Sequence, residues 1–230
     1  PVRDHEGRRF TLGLIQHSSA PGNVYRAGLH IASAMQVLDT VQGWRGQASD
    51  QLYEWRERSS VATKVCAALF LALLMALAAQ VRIVLPFTPV PFTGQVLVVL
   101  LGAAVLGRYG ALGQGLYLGM GTAFGMFSGM AGAAALVGPT GGYLIGFMLA
   151  SCILGELVER REGWTLLHVA GAMALGVLAI YLPGAIQLAL VLGLDAGQAV
   201  TMGVLPFLVG DAIKVLLASG IGSMFLRPSP

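Results

Sequence analysis

The sequence predicts an all-α, polytopic integral membrane protein with six transmembrane helices. Composition is the first reason: 56% of the 230 residues are hydrophobic and 11% are charged, against about a quarter charged in an ordinary soluble domain. Charge distribution is the second. Residues 1–60 carry 7 Arg and 6 Asp+Glu, thirteen of the 25 charged residues, and the following 170 positions share the other twelve. Thirdly, those 170 positions fall into apolar runs of bilayer-crossing length.

Residues 1–22 mix Gly, Pro, Ser and charge without sustained periodicity and read mostly as loop. From Asn23 to about Ser59 the pattern is weakly helical, with Leu29, Ala32, Met35, Leu38, Val41 and Trp44 at near-helical spacing and Gly43 and Gly46 as interruptions. No basic start leads into an apolar core and a small-residue cleavage site, so this stretch is not read as a signal peptide. The expectation is a polar N-terminal extension over 1–60, cytoplasmic and holding an interfacial or partly disordered helix, followed by a transmembrane domain over 61–230.

The first span is expected at Val61–Leu85, closed by the proline-rich turn Pro86–Pro91. The second runs from Thr93 to Leu106 and the third from Ala111 to about Gly125. Both are short and punctuated by glycine, as suits tilted or partly re-entrant helices inside protein. The fourth is Gly141–Leu157, the fifth Leu166–Leu192 with a candidate kink at Pro183, and the sixth Val204–Phe225. Glycine totals 32 residues, about twice its usual share, which favours close helix approach. With six spans, Arg56, Arg58, Lys64, Arg108, Arg160, Arg161 and Arg227 collect on one side, and Arg82 with Asp195 on the other. The positive-inside rule puts both termini in the cytoplasm. No convincing internal repeat is present.

Function classes fall away on the same evidence. No Lys/Arg stripe with interleaved aromatics suggests nucleic acid. No GxSxG, HExxH, CxxC, paired aspartates on two helices or Walker A sequence occurs, so neither a metal, a cofactor nor ATP hydrolysis is assigned. Cys66 and Cys152 lie in apolar segments and read as small buried hydrophobes. An intramembrane hydrolase would have to use Ser128 with His168.

The chemistry concentrates in the sixth span. Asp211 and Lys214 are three residues apart, share one helix face and can point into one cavity. Charges at mid-bilayer cost about 2.5–3.5 kcal/mol on insertion scales, which makes them functional candidates, the alternative being a self-neutralising structural pair. Gly210 would let a ligand or a neighbouring helix approach, and Pro206 suits a first helical turn. The proline-rich stretch, with Thr88, Thr93 and Gln95, reads either as a lid over a pocket or as a rigid connector. Gly138-Pro-Thr-Gly-Gly-Tyr143 opens the fourth span; Tyr143 would bring a hydroxyl and a ring face to an apolar ligand, or anchor at the interface. Ala68, Ala72 and Ala76 form a small-residue stripe on the first span, fit either for packing within the chain or for a partner subunit.

Four ordered pieces then give a resemblance: Pro86-Phe-Thr-Pro-Val-Pro-Phe-Thr-Gly-Gln95, Gly102 to Tyr117 with Leu106-Gly107-Arg108, Gly138-Pro-Thr-Gly-Gly-Tyr-Leu-Ile-Gly146, and Leu205-Pro-Phe with Gly210-Asp211-Ala-Ile-Lys214. Over about Val61 to Arg227 the chain resembles the BioY family, the membrane-embedded substrate-binding (S) components of energy-coupling factor (ECF) biotin transporters. The resemblance implies a six-helix S-component fold, biotin held near the extracellular side, and Asp211 and Lys214 as the substrate-contacting pair. It also implies that the Ala68/Ala72/Ala76 stripe meets a transmembrane coupling subunit, that two cytoplasmic ATPases supply energy, and that the chain sits in the cell membrane. The sequence departs from the family pattern at Gly94, where Leu is usual, and around Phe124-Gly-Met-Phe-Ser128, which lacks a proline; residues 1–60 are no part of it. Biotin's ureido ring, apolar body and carboxylate suit Asp211 and Lys214, with Tyr143, Gln95 and Thr93 completing the expected site. An S component for another vitamin, riboflavin or thiamin, an intramembrane enzyme and a structural helix bundle are the alternatives.

Overall fold

The structure is a computed structural model that describes residues 21–129 and 132–227. The loop expected over 1–22 lies outside the described residues, apart from Pro21 and Gly22, which begin a helix. The chain divides into two compact units, 1–43 and 44–230. The described part of the first unit is the leading part of α1 (Pro21–Arg58). The last turns of α1, from Trp44, belong to the second unit, so the compact transmembrane unit includes residues assigned by sequence to the polar extension.

What holds those turns is hydrogen bonding rather than an apolar face. Arg45 donates to Ser223 O at 3.1 Å, Tyr53 Oη to Val158 O at 3.3 Å, and Arg56 Nε to Val105 O at 3.0 Å. These carbonyls belong to the ends of three helices, where backbone acceptors lack intrahelical partners and a positive charge is favoured. Arg56 is correspondingly withdrawn from water, and burial pushes its guanidinium below the ordinary arginine range.

Ser60 separates α1 from α2 (Val61–Gln80): its hydroxyl accepts from Thr63 N and caps the new helix. α2 stops at Gln80, five residues before the expected Leu85. Beyond it the backbone turns extended, and β1 (Arg82–Ile83) pairs antiparallel with β2 (Phe92–Thr93), Arg82 opposite Thr93 and Ile83 opposite Phe92. The three prolines hold the intervening loop out of helical geometry, so the proline-rich stretch is the tip of a hairpin.

α3 (Gln95–Leu106) and α4 (Arg108–Phe124) meet at Gly107, whose φ of +58° is a left-handed conformation that strains any residue with a Cβ. The corner is pinned from α6: Arg108 N donates to Glu159 Oε1 at 2.7 Å, and the Arg108 side chain pairs with Glu156 at 2.9 Å and Glu159 at 2.7 Å. After the short α5 (Ala134–Val137) come α6 (Gly141–Arg160), α7 (Leu166–Leu192), α8 (Ala196–Gly203), a 3-10 turn over Leu205–Phe207 and α9 (Leu208–Gly222). Thr165 caps α7 and Asp195 caps α8 in a reciprocal box with Gln198. α7 runs without a break through Pro183.

α6 and α7 make the most extensive helix pair, and α3 sits centrally, touching α2, α4, α6, α7 and α9. The α6–α7 approach depends on two small residues one turn apart. A Cβ on Gly142 would lie 2.7 Å from the Pro183 carbonyl carbon, and one on Gly146 would lie 2.7 Å from Ile180 Cα. Four helical segments are long and apolar enough to cross a membrane: Val61–Gln80, Gly141–Arg160, Leu166–Leu192 and Ala196–Gly222. α3 and α4 would complete the expected six, but α3, with 12 residues, spans only about 18 Å of a hydrocarbon core near 30 Å. The chain is a multi-pass membrane protein whose transmembrane unit is helical apart from the short β1–β2 hairpin.

The alanine stripe on α2 faces inward. Ala68 and Ala72 are fully buried, and a Cβ on Gly113 of α4 would sit 3.0 Å from Ala68 O. Ala76 is half-buried. Of the two uses open to this stripe, Ala68 and Ala72 serve packing within the chain, and Ala76 remains partly exposed.

Candidate substrate-binding site

α9 begins immediately after the 3-10 turn that contains Pro206, which places Asp211 in its first turn and Lys214 one turn further. Both are buried, at 4% and 9% exposure, and Lys214 Nζ donates to Asp211 Oδ1 at 2.7 Å. The pair is not isolated. Tyr181 of α7 donates its hydroxyl to Asp211 Oδ2 at 2.6 Å, and Lys214 Nζ donates a second bond to Thr93 O at 2.7 Å. The ammonium also stands 3.7 Å from the centre of the Phe92 ring, a cation–π arrangement. Phe92 in turn lies parallel to Phe207, with centroids 6.4 Å apart. Gly210 therefore does admit a close neighbour, and that neighbour is the Phe92 ring of the hairpin.

The residues singled out by sequence converge here. Asp211, Lys214, Tyr143, Gln95 and Thr93 all line one cavity, together with Tyr181, Ser128, Thr140 and an apolar wall that includes Phe127, Phe147 and Ile180. About 60 Å³ of it is open to the centre of a water molecule. Several of them also bond within the chain. Thr93 meets Lys214 through its carbonyl, while its hydroxyl faces Gln95 Oε1 at 3.2 Å. Gln95 donates to Tyr117 Oη at 2.8 Å. The Tyr143 hydroxyl donates to Gly203 O at 2.8 Å and so ties α6 to the end of α8, leaving the ring as the part that lines the cavity. Between its two readings, lid or connector, the proline-rich stretch has its last residues in the cavity wall, with Val90, Pro91 and Phe92 lining it.

Tyr181 is the residue that sequence reasoning missed. Its only local sign is a hydroxyl in the middle of an apolar helix two residues before Pro183. Ser128 also lines the cavity, and its hydroxyl is buried without a hydrogen-bond partner. His168 is not beside it: His168 sits in the first turn of α7, with Thr165 and Arg161 as neighbours. Thirteen residues separate it from Tyr181 at the cavity, about 20 Å of helix. The serine–histidine pair that an intramembrane hydrolase would need is not assembled. Among the described residues no cluster of three or more His, Cys, Asp or Glu could hold a metal ion.

Chemically, the cavity combines one anchored cation, one anchored anion and a few uncharged groups with an aromatic and aliphatic wall. Such an arrangement selects a small amphipathic solute.

Comparisons with known proteins identify the family. Residues 50–229 match the model of the BioY family. A biotin transporter BioY from Thermotoga maritima is 40% identical over 140 residues, covering 59% of this chain and 80% of that protein. One from Rhizobium etli is 35% identical over 169 residues, covering 69% of this chain and 89% of the relative. In fold, the chain is similar to the crystal structure of the S-component for biotin from an ECF-type ABC transporter, with a TM-score of 0.63 at 23% identity, covering 72% of this chain and 93% of the other. With the family model spanning nearly all of the transmembrane unit and relatives above 30% identity over most of their length, this chain belongs to the BioY family.

Proposed function

We propose that this chain captures biotin in the Asp211/Lys214 cavity and mediates its uptake as the S component of an ECF transporter. The observation that carries the reading is the set of hydrogen-bonding positions left over at the buried pair. A carboxylate offers about four acceptor sites, and Asp211 uses one for Lys214 and one for Tyr181. An ammonium has three donors, and Lys214 spends one on Asp211 and one on Thr93 O. One donor and two acceptor positions remain side by side. A ureido ring presents one carbonyl and two N–H groups, the complementary set. We therefore assign the ureido end to Asp211 and Lys214, the Tyr143 ring and apolar wall to the thioether body, and Ser128, Gln95 and Thr140 to the remaining polar contacts.

The present cavity is small beside the several hundred Å³ usual for ligand sites, so loading requires it to widen. The hairpin that carries Phe92 is the natural moving part, because its last residues, Val90, Pro91 and Phe92, form one wall of the cavity. By the positive-inside rule the hairpin and α8 face outward and the arginine-rich helix ends face the cytoplasm of the cell membrane. An ECF coupling subunit and ATPases complete the transporter in this reading. With Ala68 and Ala72 buried, that subunit would meet α2 along its exposed Leu69, Leu73 and Leu77 edge, with Ala76 at the margin.

The experiment is equilibrium binding of labelled biotin to detergent-purified protein, with unlabelled riboflavin and thiamin as competitors. Saturable binding displaced by biotin alone is the expected result. Displacement by riboflavin or thiamin would assign the site to another vitamin.

A further inference from the structure

A second concave site lies at the opposite end of the bundle, between the last turn of α1 and the starts of α2 and α4. About 510 Å³ of it is open to the centre of a water molecule, far more than at the Asp211/Lys214 cavity. Its lining includes Tyr53, Trp55, Arg56, Lys64, Arg108 and Tyr109, over the apolar side chains of Leu106 and Leu112. Three aromatic residues, Tyr53, Trp55 and Tyr109, gather beside the start of the spanning helix α2 and mark headgroup depth.

The charges do not cancel. Arg108 is spent on Glu156 and Glu159 of α6, at 2.9 and 2.7 Å. Lys64 has no carboxylate within 4 Å among the described residues and instead stands over the Tyr109 ring at 5.5 Å. Arg56 gives its Nε and Nη2 to the carbonyls that end α3, but Nη1 is buried without a hydrogen-bond partner. Lys64 and Arg56 thus face Glu57 as the one remaining carboxylate of the lining, and the balance is positive. A buried guanidinium donor left unmatched costs stability unless something accepts from it.

Leu106 also belongs to a separate apolar channel of about 260 Å³ between α2 and α3, walled by Ala67, Phe70, Leu74 and Val98. A cationic groove at headgroup depth and an apolar groove that shares Leu106 with it together describe an anionic amphiphile. We propose that this is a binding site for an anionic phospholipid, its phosphate held by Lys64 and Arg56 and one acyl chain laid in the α2–α3 channel. Basic grooves between helices on the cytoplasmic side are suited to anionic headgroups.

The test is native mass spectrometry of the full chain in mild detergent, titrated with phosphatidylglycerol, phosphatidylcholine or glycerol 1-phosphate. Wild type retains phosphatidylglycerol in preference to phosphatidylcholine. Lys64→Gln weakens that retention about fivefold, the effect of one cation near the surface, and Lys64→Arg preserves it. Ala67→Phe, which fills the channel, weakens phosphatidylglycerol binding as well. A melting curve on each variant separates loss of the site from loss of the fold, and the Lys64→Arg comparison reads the charge alone. Equal retention of the two lipids, or Lys64→Gln and Ala67→Phe both at the wild-type level, overturns the proposal. Glycerol 1-phosphate competing at concentrations similar to the lipid overturns the lipid assignment and makes the ligand a soluble phosphate ester.

Discussion

Replacing Asp211 by Asn changes shape least and chemistry most. The side chain sits at 4% exposure with both carboxylate oxygens already accepting, one from Lys214 and one from Tyr181. Asparagine keeps a single acceptor oxygen, so it cannot serve Lys214, Tyr181 and two ureido N–H groups together. Hydrogen bonds to charged groups contribute about 1.5–3 kcal/mol each. Losing one to the ligand and weakening the other removes roughly 2–4 kcal/mol, which is about 30- to 1,000-fold in Kd. Lys214, at 9% exposure, also loses its counter-ion, and stranding a buried charge costs about 3–5 kcal/mol, so the variant is expected to melt lower than wild type. The assay is labelled-biotin binding to purified protein whose folded fraction is established by size-exclusion profile and melting curve. Lys214→Met and the double variant complete a cycle; because the two side chains share one bond and one ligand group, the double variant should lose less than the sum of the singles. Binding by folded Asp211→Asn within threefold of wild type would refute the hydrogen-bond count on which the site rests.

Other expectations are simpler to read. Gly142→Ala should destabilise by about 1–3 kcal/mol, because the added methyl meets the Pro183 carbonyl and both sides are backbone; Gly115→Ala, where nothing lies within 4 Å, should be neutral or stabilising by up to about 1 kcal/mol. Thermal melting in one detergent compares the two. Tyr143→Phe keeps the ring in the cavity wall and removes the bond to Gly203 O, so it should cost about 1 kcal/mol of stability and shift biotin affinity by less than about threefold; a larger loss of affinity would mean that the hydroxyl serves the ligand. For orientation, cysteines placed at Asp195 and at Arg161, with Cys66 and Cys152 replaced by Ala, should differ in labelling by an impermeant maleimide. The first should react in intact cells and the second only after permeabilisation, and the reverse pattern would invert the topology.

Hydropathy and helical period were enough to find the long helices, because a spanning helix must be predominantly apolar whatever it packs against. They were also enough to put Asp211 and Lys214 on one face, since an i, i+3 relation is a property of the helix itself. Chain ends of helices were less legible. α2 stops at Gln80 because the hairpin pairing of residues 82–83 with 92–93 competes with it, and that pairing is not a property of α2's own residues. The polar anchoring of Trp44–Arg58 was hidden for a related reason: its partners are backbone carbonyls, which every residue carries and no pattern marks.

By itself, then, the sequence determined the class of molecule, the ion pair and the family pattern in which it sits. The tertiary structure alone decided which groups complete that pair: Tyr181, 30 residues before Asp211, and the Thr93 carbonyl, 121 residues before Lys214. It also decided which way α2 faces. In a bilayer the lipid-facing and protein-facing sides of a helix are both apolar, so the amphipathic signal that orients a helix in a soluble protein is missing. Ala68 and Ala72 are buried, while Leu69 and Leu73 on the same helix face outward; only packing against α4 distinguishes them.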